Sequence, residues 1–195
     1  SALRAQEAPA ILVHGGGKEI SELQRKLGIE PRYVDGVRIT DVASLEIVEM
    51  VLCGIVNKRI VRYLVEAGMD AQGLSGVDRG LMRAEQMQHP DLDMGYTGVV
   101  KDVRGDLLLE MLRAGVTPVL APICLGQGCH YNVNADHVAG AVGHAVQAER
   151  VVFVTNVPGV LRDGEALAQL STSEARQLIA DGVIYGGMIP KVETA

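Results

Sequence analysis

The chain has 195 residues, a formal net charge of −6, and a composition that is 48% hydrophobic but only 3% aromatic. That length allows one α/β domain with a substantial core, and an aliphatic interior is typical of parallel strands covered by helices. The negative charge gives no general support for a nucleic-acid partner. Neither a membrane-spanning run nor a signal peptide is evident in the sequence.

The cysteines are odd in number, with Cys53, Cys124 and Cys129 in positions that do not match the spacing of a metal site. Free thiols in a cytoplasmic protein are therefore expected in preference to a zinc site or a disulfide. We accordingly predict a cytoplasmic location and no metal site built from side chains.

Helix and strand patterns alternate in the first part of the chain. The predicted elements are a strand over 10–13, a helix over 18–27, a hairpin over 32–39 and a long helix over 41–67. Gly28 and Gly68 follow the two helices and are suited to end them, and an Asp-Gly turn signal lies inside the hairpin. Thr40 or Asp41 is expected to cap the long helix.

The alternation continues in the second part of the chain. The predicted strands cover 71–74, 99–103, 117–123 and 151–155, and the predicted helices cover 106–114, 134–147 and 172–181. Ser171 and Glu174 form a capping-box pattern before the last of these helices, and Gly182 follows it. Strands separated by helices predict an α/β fold with an open, mostly parallel sheet.

Apolar residues on the long helix over 41–67 form a stripe too wide to be covered by a sheet on one side alone. A second subunit could cover the remaining side, which would make the protein a homodimer. The alternative is a helix that is fully internal to one chain.

A glycine run, Gly15-Gly16-Gly17, follows the first predicted strand and His14, and it opens the first helix at Lys18. Backbone N–H groups at such a helix start form an anion site, although a simple tight turn would also use glycines. The run matches neither the spacing of a P-loop nor the Gly-x-Gly-x-x-Gly pattern of dinucleotide-binding proteins. The missing pattern argues against a nicotinamide-dependent oxidoreductase.

Residues 130–136 place Asn132, Asn134 and Asp136 at alternating positions, on one side of the chain if the stretch is extended. Amides and carboxylates are rarely buried without partners, so this segment is typical of a polar substrate site. Arg38 could hold a substrate carboxylate with its planar fork, or it could be a solvated surface charge. Lys191 follows a glycine loop and would by itself be an ordinary exposed lysine.

These segments, taken together, resemble the amino acid kinase family, and within it the branch that phosphorylates N-acetyl-L-glutamate. The matching segments are 14–17, 36–40, 132–136, 156–160 and 187–191, in the family's order. The resemblance implies a carbamate kinase-like three-layer fold, with an open sheet sandwiched between helices. It also implies transfer of the ATP γ-phosphoryl group, with Mg²⁺, to the side-chain carboxylate of N-acetyl-L-glutamate in arginine biosynthesis.

The resemblance assigns a role to each matching residue. Lys191 would neutralise the phosphoryl group in transit, and Asp136 would orient the catalytic lysines. The substrate residues would be Gly16, Gly17, Arg38, Asn132 and Asn134. The nucleotide residues would be Asn156, Val157, Pro158, Gly159, Val160, Leu161, Val183, Ile184 and Tyr185. Such a reaction depends on positioning and charge compensation, and a carboxylate nucleophile needs no general base.

The sequence departs from the family pattern at both ends. It lacks an initial strand with a Lys-x-Gly-Gly motif, and it stops at Ala195, so we expect a partial chain without full activity. Residues 1–148 would bind the amino-acid substrate and dimerise, and 149–195 would begin the nucleotide part. The alternatives are a kinase for an aminoadipate derivative in lysine biosynthesis and a metabolite sensor without turnover.

Overall fold

The computed structural model describes residues 9–34, 36–155, 157, 159–162, 165–186 and 188–194. Its strands are β1 (Leu12–Val13), β2 (Arg32–Val34), β3 (Val37–Ile39), β4 (Ala71–Ser75), β5 (Met82–Gln86), β6 (Thr97–Val103), β7 (Thr117–Ala121), β8 (Ile123–Leu125), β9 (His130–Val133), β10 (Leu161–Arg162) and β11 (Glu165–Ala166). Its α-helices are α1 (Gly17–Lys26), α2 (Val42–Glu49), α3 (Asn57–Glu66), α4 (Gly105–Arg113), α5 (Ala135–Ala145), α6 (Thr172–Ala180) and α7 (Met188–Thr194). A π-helical segment, Met50–Val56, joins α2 to α3.

The central sheet is parallel and has the strand order β1-β7-β4. Its two faces bury different sets of side chains because successive residues of a strand point to opposite sides. Leu120 of β7 packs with residues of α4 and α5, including Leu108 and Val138. Ala121, the next residue, packs with Val48 of α2 and with residues of the π-helical segment. Helices therefore cover both faces of the sheet, which confirms the predicted sandwich.

A closed barrel of four short strands, β5-β6-β9-β8, stands beside the sheet and was not predicted. The predicted strand over 117–123 is in fact two strands, because Pro122 interrupts it and lets the chain pass from the sheet into the barrel. Within the barrel, β6 pairs in parallel with β9, and Thr97 lies opposite Asn132. The barrel thus holds Asn132 beside the end of the central sheet.

The long helix begins as predicted, with the Asp41 side chain accepting a hydrogen bond from the Ser44 backbone N–H at 2.8 Å. It is not a continuous α-helix, because Met50–Val56 has π-helical hydrogen bonding. Val51 and Leu52 of this segment are buried, whereas Met50 and Ile55 are about half exposed. Because a π-helical turn contains more residues than an α-helical turn, the side chains after this segment point in other directions than they would in a continuous α-helix. The 3.6-residue hydrophobic period does not reveal such a change.

Several local predictions are confirmed by the backbone. Strands β2 and β3 form the expected antiparallel hairpin. The glycines that follow the helices, Gly28, Gly68 and Gly182, all have positive φ angles, which is the usual glycine conformation after a helix C-terminus. Ser171 and Glu174 form the complete capping box at the start of α6.

The prediction of a strand over 151–155 is wrong. Val152 and Val154 are 72% and 92% exposed. Within the described part of the chain, this segment has no ladder partner, and β-pairing requires a neighbouring strand that supplies N–H and C=O groups. Its apolar composition indicated a buried strand, but composition does not supply the partner strand.

Among the described residues, no helix combines the length and the apolar character that a membrane crossing needs.

Candidate active site

Two helices begin at the edge of one cleft. Gly16 is the N-terminal cap of α1, and Asn134 is the cap of α5. Both residues line a cleft of about 210 Å³, together with Gly15, Gly17 and Ala135. Backbone N–H groups in the first turn of a helix have no intrahelical acceptor, and the helix dipole is positive there. The cleft is therefore suited to bind an anion.

The adjacent glycines Gly16 and Gly17 have different surroundings. A Cβ atom at Gly16 would lie 2.8 Å from Leu52 Cδ2, so close packing against the π-helical segment excludes a side chain there. A Cβ atom at Gly17 would have no neighbour within 4 Å. Gly16 is thus required by packing, and Gly17 keeps the cleft open.

The Asn134 side chain has a structural role that the sequence did not indicate. Its Oδ1 accepts hydrogen bonds from the backbone N–H groups of Asp136 at 2.8 Å and His137 at 3.4 Å. Among the described residues, Nδ2 has no hydrogen-bond partner, so it is available to a ligand. Asn132 donates its own Nδ2 to Thr40 Oγ1 at 3.0 Å. Both amides therefore line the cleft in fixed orientations.

Arg38 lies at the cleft and is only 8% exposed. Its guanidinium donates to Tyr33 Oη at 2.5 Å, to Ser21 Oγ at 2.9 Å and to the Gly17 carbonyl at 3.1 Å. It also donates to Gln24 Oε1. All of these acceptors are neutral, and burial lowers the pKa of Arg38. The structure thus contains a buried cation without a carboxylate partner in the described ranges, whereas buried charges in proteins are usually paired.

Lys191 and Asp136 form an ion pair next to this cleft. The Lys191 ammonium lies 2.8 Å from each carboxylate oxygen, and the side chains are 23% and 21% exposed. Helices α5 and α7 meet closely here, because a Cβ atom at Gly140 would lie 2.1 Å from Thr194 Cγ2. Asp136 follows Ala135, which lines the cleft, so the ion pair lies at its border.

Those residues predicted to bind the nucleotide that the structure describes do not line the cleft. Asn156 and Pro158 lie outside the described residues. The others are Val157, Gly159, Val160, Leu161, Val183, Ile184 and Tyr185. Ile184 is 2% exposed and belongs to the interior, whereas Tyr185 is 76% exposed. Their role in binding a nucleotide stays a prediction.

Sequence reasoning missed the polar residues that surround Arg38. Ser21 and Gln24 are buried on one face of α1, three positions apart, and Tyr33 contacts Arg38 across the hairpin. A polar pair at helical spacing next to Ile20 was the available signal.

None of the three cysteines lines the cleft, and burial makes two of them poor nucleophiles. Burial raises the pKa of Cys124 to about 12. Burial, together with the nearby Glu49 carboxylate, raises the pKa of Cys53 to about 11. Both thiols are therefore protonated near neutral pH, and thiolate chemistry requires the deprotonated form.

Comparisons with known proteins agree with this geometry. The model of the amino acid kinase family matches residues 1–195. An acetylglutamate kinase of Roseiflexus sp. (strain RS-1) is 55% identical over 185 residues, which cover 95% of this chain and 71% of the relative. The crystal structure of smu.665 from Streptococcus mutans UA159 has a TM-score of 0.89 at 30% identity, covering 95% of this chain and 75% of that chain.

A carbamate kinase of Giardia shares the fold alone, with a TM-score of 0.62 at 11% identity over 100% of this chain and 76% of that chain. The arrangement of a sheet between two helical layers is therefore a fold that this chain shares with solved structures. The chain belongs to the amino acid kinase family.

Proposed function

We propose that this protein transfers the γ-phosphoryl group of ATP to the side-chain carboxylate of N-acetyl-L-glutamate, giving N-acetyl-L-glutamyl 5-phosphate for arginine biosynthesis. The observation that carries this proposal is Arg38, a buried cation with neutral partners at the edge of a cleft that two helix N-termini also face. Such a cleft accommodates a substrate with more than one carboxylate. The Roseiflexus relative, at 55% identity, is named acetylglutamate kinase.

In this proposal, Arg38 and Asn132 hold the α-carboxylate of the substrate, and Nδ2 of Asn134 supplies a further hydrogen bond. The backbone N–H groups of Gly16 and Gly17 face the reacting carboxylate and the phosphoryl group. The support for these roles is that all of these residues line one cleft. Fixing both reactants in line is the main contribution that a protein makes to phosphoryl transfer.

The chemical step needs no base from the protein. A carboxylate oxygen of the substrate attacks the γ-phosphorus, the bond from that phosphorus to the bridging oxygen breaks, and its electron pair leaves on ADP. Lys191 neutralises charge on the phosphoryl group in transit, and Asp136 orients Lys191. The 2.8 Å contacts between these side chains support this assignment.

The nucleotide part of the proposal concerns residues 149–195, with 1–148 binding the amino-acid substrate. ATP would contact residues 156–161 and 183–185, and Mg²⁺ would accompany it. The described residues contain no group of three or more His, Cys, Asp or Glu side chains arranged to hold a metal. We therefore propose that Mg²⁺ enters on the ATP phosphates, as is usual for this ion.

We also propose a homodimer formed through the long helix over 41–67. Met50 and Ile55 are 54% and 52% exposed, while the opposite side of the helix packs in the core. Exposed apolar groups on one helix are typical of an interface. Sedimentation that gives a monomer at micromolar concentration would contradict this proposal.

Free Cys53, Cys124 and Cys129 support a reducing, cytoplasmic location.

The test is ATP-dependent formation of an acyl phosphate, trapped with hydroxylamine, from N-acetyl-L-glutamate. The full-length protein is compared with its Lys191→Ala variant and with Lys101→Ala, which removes an exposed lysine paired with Glu85. We expect turnover in the wild type and in Lys101→Ala, and its collapse in Lys191→Ala.

The other outcomes each contradict a definite part of the proposal. Turnover of an aminoadipate derivative but not of N-acetyl-L-glutamate would contradict the substrate. Tight binding of N-acetyl-L-glutamate without any turnover would contradict the kinase activity and would indicate a sensor. Full activity in Lys191→Ala would contradict the role of that lysine.

A further inference from the structure

Gln24 occupies the position next to Arg38 where a buried arginine ordinarily has its counter-ion. Gln24 lies on α1 and is 1% exposed. Its Oε1 accepts a hydrogen bond from Arg38 Nη1, and its Nε2 donates to Ser44 Oγ at 2.9 Å. Both ends of the amide are therefore used, and the orientation of the side chain is fixed by α2 on one side and the hairpin on the other.

The neutrality of this contact is unusual for a buried cation. Glutamate has the same shape as glutamine and would form a charge-assisted bond with the guanidinium. Such a carboxylate would satisfy Arg38 within the protein itself. The described residues offer Arg38 only hydroxyl, amide and carbonyl oxygens.

We infer that Gln24 is a positioning residue that determines carboxylate specificity: it holds the Arg38 guanidinium in place with a neutral oxygen, so that the positive charge is reserved for the substrate carboxylate. This inference rests on the proposed function, since the ligand of Arg38 is taken to be the α-carboxylate of N-acetyl-L-glutamate. Gln24 acts through Arg38, and it is not among the residues that line the cleft.

The surroundings of Gln24 support a role in positioning over simple packing. Ser21 lies one helical turn before it and also accepts a hydrogen bond from Arg38, at 2.9 Å. Tyr33 places its ring 4.8 Å from the guanidinium carbon. Together with Gln24, these groups fix the arginine without neutralising it. A preformed, uncompensated cation binds a carboxylate without first giving up an internal ion pair.

The inference predicts opposite effects of one substitution on binding and on stability. In Gln24→Glu, the new carboxylate pairs with Arg38, and the substrate then meets a neutral pair. We expect the KM for N-acetyl-L-glutamate to rise by about 10- to 100-fold, which is the loss of affinity expected when one hydrogen bond to a charged group is lost. The KM for ATP should be unchanged. The unfolding temperature without substrate should equal or exceed that of the wild type, because the buried cation gains a partner.

Two further variants complete the test. Gln72→Glu adds the same charge at an exposed position of β4 and should leave the kinetic constants and the unfolding temperature unchanged. Gln24→Leu removes the acceptor without adding charge, and it should lower the unfolding temperature because it leaves Arg38 with one fewer partner. In thermal unfolding, N-acetyl-L-glutamate should stabilise the wild type and Gln72→Glu but not Gln24→Glu.

Either of two results would overturn the inference. One is an unchanged KM for N-acetyl-L-glutamate in Gln24→Glu, and the other is a Gln24→Glu protein that unfolds below the wild type or does not fold. If the wild type itself neither binds nor converts N-acetyl-L-glutamate, the proposed function fails. In that case the unfolding temperatures alone test whether Gln24 is the neutral partner of a buried cation. Gln24→Glu must then be at least as stable as the wild type, and Gln24→Leu must be less stable.

Discussion

The Lys191 ammonium is bonded to both carboxylate oxygens of Asp136, at 2.8 Å each, although the two residues are 55 positions apart in the chain. The pair joins α7 to the first turn of α5, whose N-terminal cap lines the cleft. The ion pair thereby fixes the Lys191 ammonium beside the first turn of α5, at the border of the cleft.

The Asp136→Asn variant keeps the size of this side chain but removes its charge. We expect kcat for acyl phosphate formation to fall by about 10²- to 10³-fold, because Lys191 loses the group that orients it. The exposed pair Arg62–Glu66 offers a control, and Glu66→Gln should leave kcat unchanged. Wild-type kcat in Asp136→Asn would show that Lys191 needs no orienting carboxylate.

The sequence predicted much of the fold because its signals are local. The antiparallel pairing within the hairpin over 32–39, the capping box at Ser171 and the glycines that end helices each depend on neighbouring residues, and each is observed. Asp35, in the predicted turn, lies outside the described residues. The matching motifs also placed Lys191 and Asp136 in one site, where they form an ion pair.

The remaining features depend on tertiary contacts. Strands β8 and β9 have 3 and 4 residues, too few for periodicity to identify them, and the barrel exists only through their pairing. Gln24 meets Arg38 from 14 positions away, a contact that requires the hairpin to fold over α1. Residues 151–155 have the composition of a strand without a pairing partner in the described part of the chain.

Gly73 of β4 should not tolerate a side chain. A Cβ atom there would lie 1.9 Å from Asn57 Oδ1 and 2.7 Å from Lys58 Nζ, and Asn57 is 1% exposed. We expect Gly73→Ala to lower the free energy of unfolding in urea by about 1–3 kcal/mol. Gly54→Ala is the matched control, because its Cβ would have no neighbour within 4 Å, and it should not destabilise the protein. Equal stability of the two variants would contradict this packing argument.

His14 should make stability depend on pH. Its Nδ1–H donates to the Gly15 carbonyl at 3.0 Å, so the neutral ring uses Nε2 to accept from Asn57 Nδ2 at 3.1 Å. Burial lowers the pKa of His14 below 6.5, and nearby Arg59 lowers it further, while the Gly15 carbonyl and Glu19 oppose the shift. A proton on Nε2 would also remove the hydrogen bond from Asn57.

The unfolded state therefore binds a proton on His14 more readily than the folded state does. The contribution of neutral His14 to the free energy of unfolding is fully present above pH 6.5, the pKa of the unfolded state. This contribution decreases as the pH falls from 6.5 towards the lower pKa of the folded state, and it does not change further below that pKa. We expect the free energy of unfolding to fall less between pH 7.5 and 5.5 in His14→Gln than in the wild type. The remaining histidines are present in both proteins, so comparing the two proteins isolates the contribution of His14. The same decline in both would contradict a buried neutral His14.

Gly17→Ala should separate stability from activity. A methyl group there has no neighbour within 4 Å, and Gly17 lines the cleft, so the group enters the space proposed for the substrate. We expect the free energy of unfolding to be unchanged or raised by up to about 1 kcal/mol, since alanine is the better helix former. We expect kcat/KM for N-acetyl-L-glutamate to fall by about tenfold or more through misplacement of the substrate.

Unlike Gly17→Ala, the neighbouring substitution Gly16→Ala should destabilise the fold, because its Cβ would lie 2.8 Å from Leu52 Cδ2 and 3.2 Å from Val56 Cγ2 in the buried π-helical segment. It should lower the free energy of unfolding by about 1–3 kcal/mol as well as the activity. Comparing urea unfolding and steady-state kinetics of the two variants distinguishes a glycine needed for packing from one needed for the ligand. Unchanged kcat/KM in Gly17→Ala would place the substrate elsewhere than beside the start of α1.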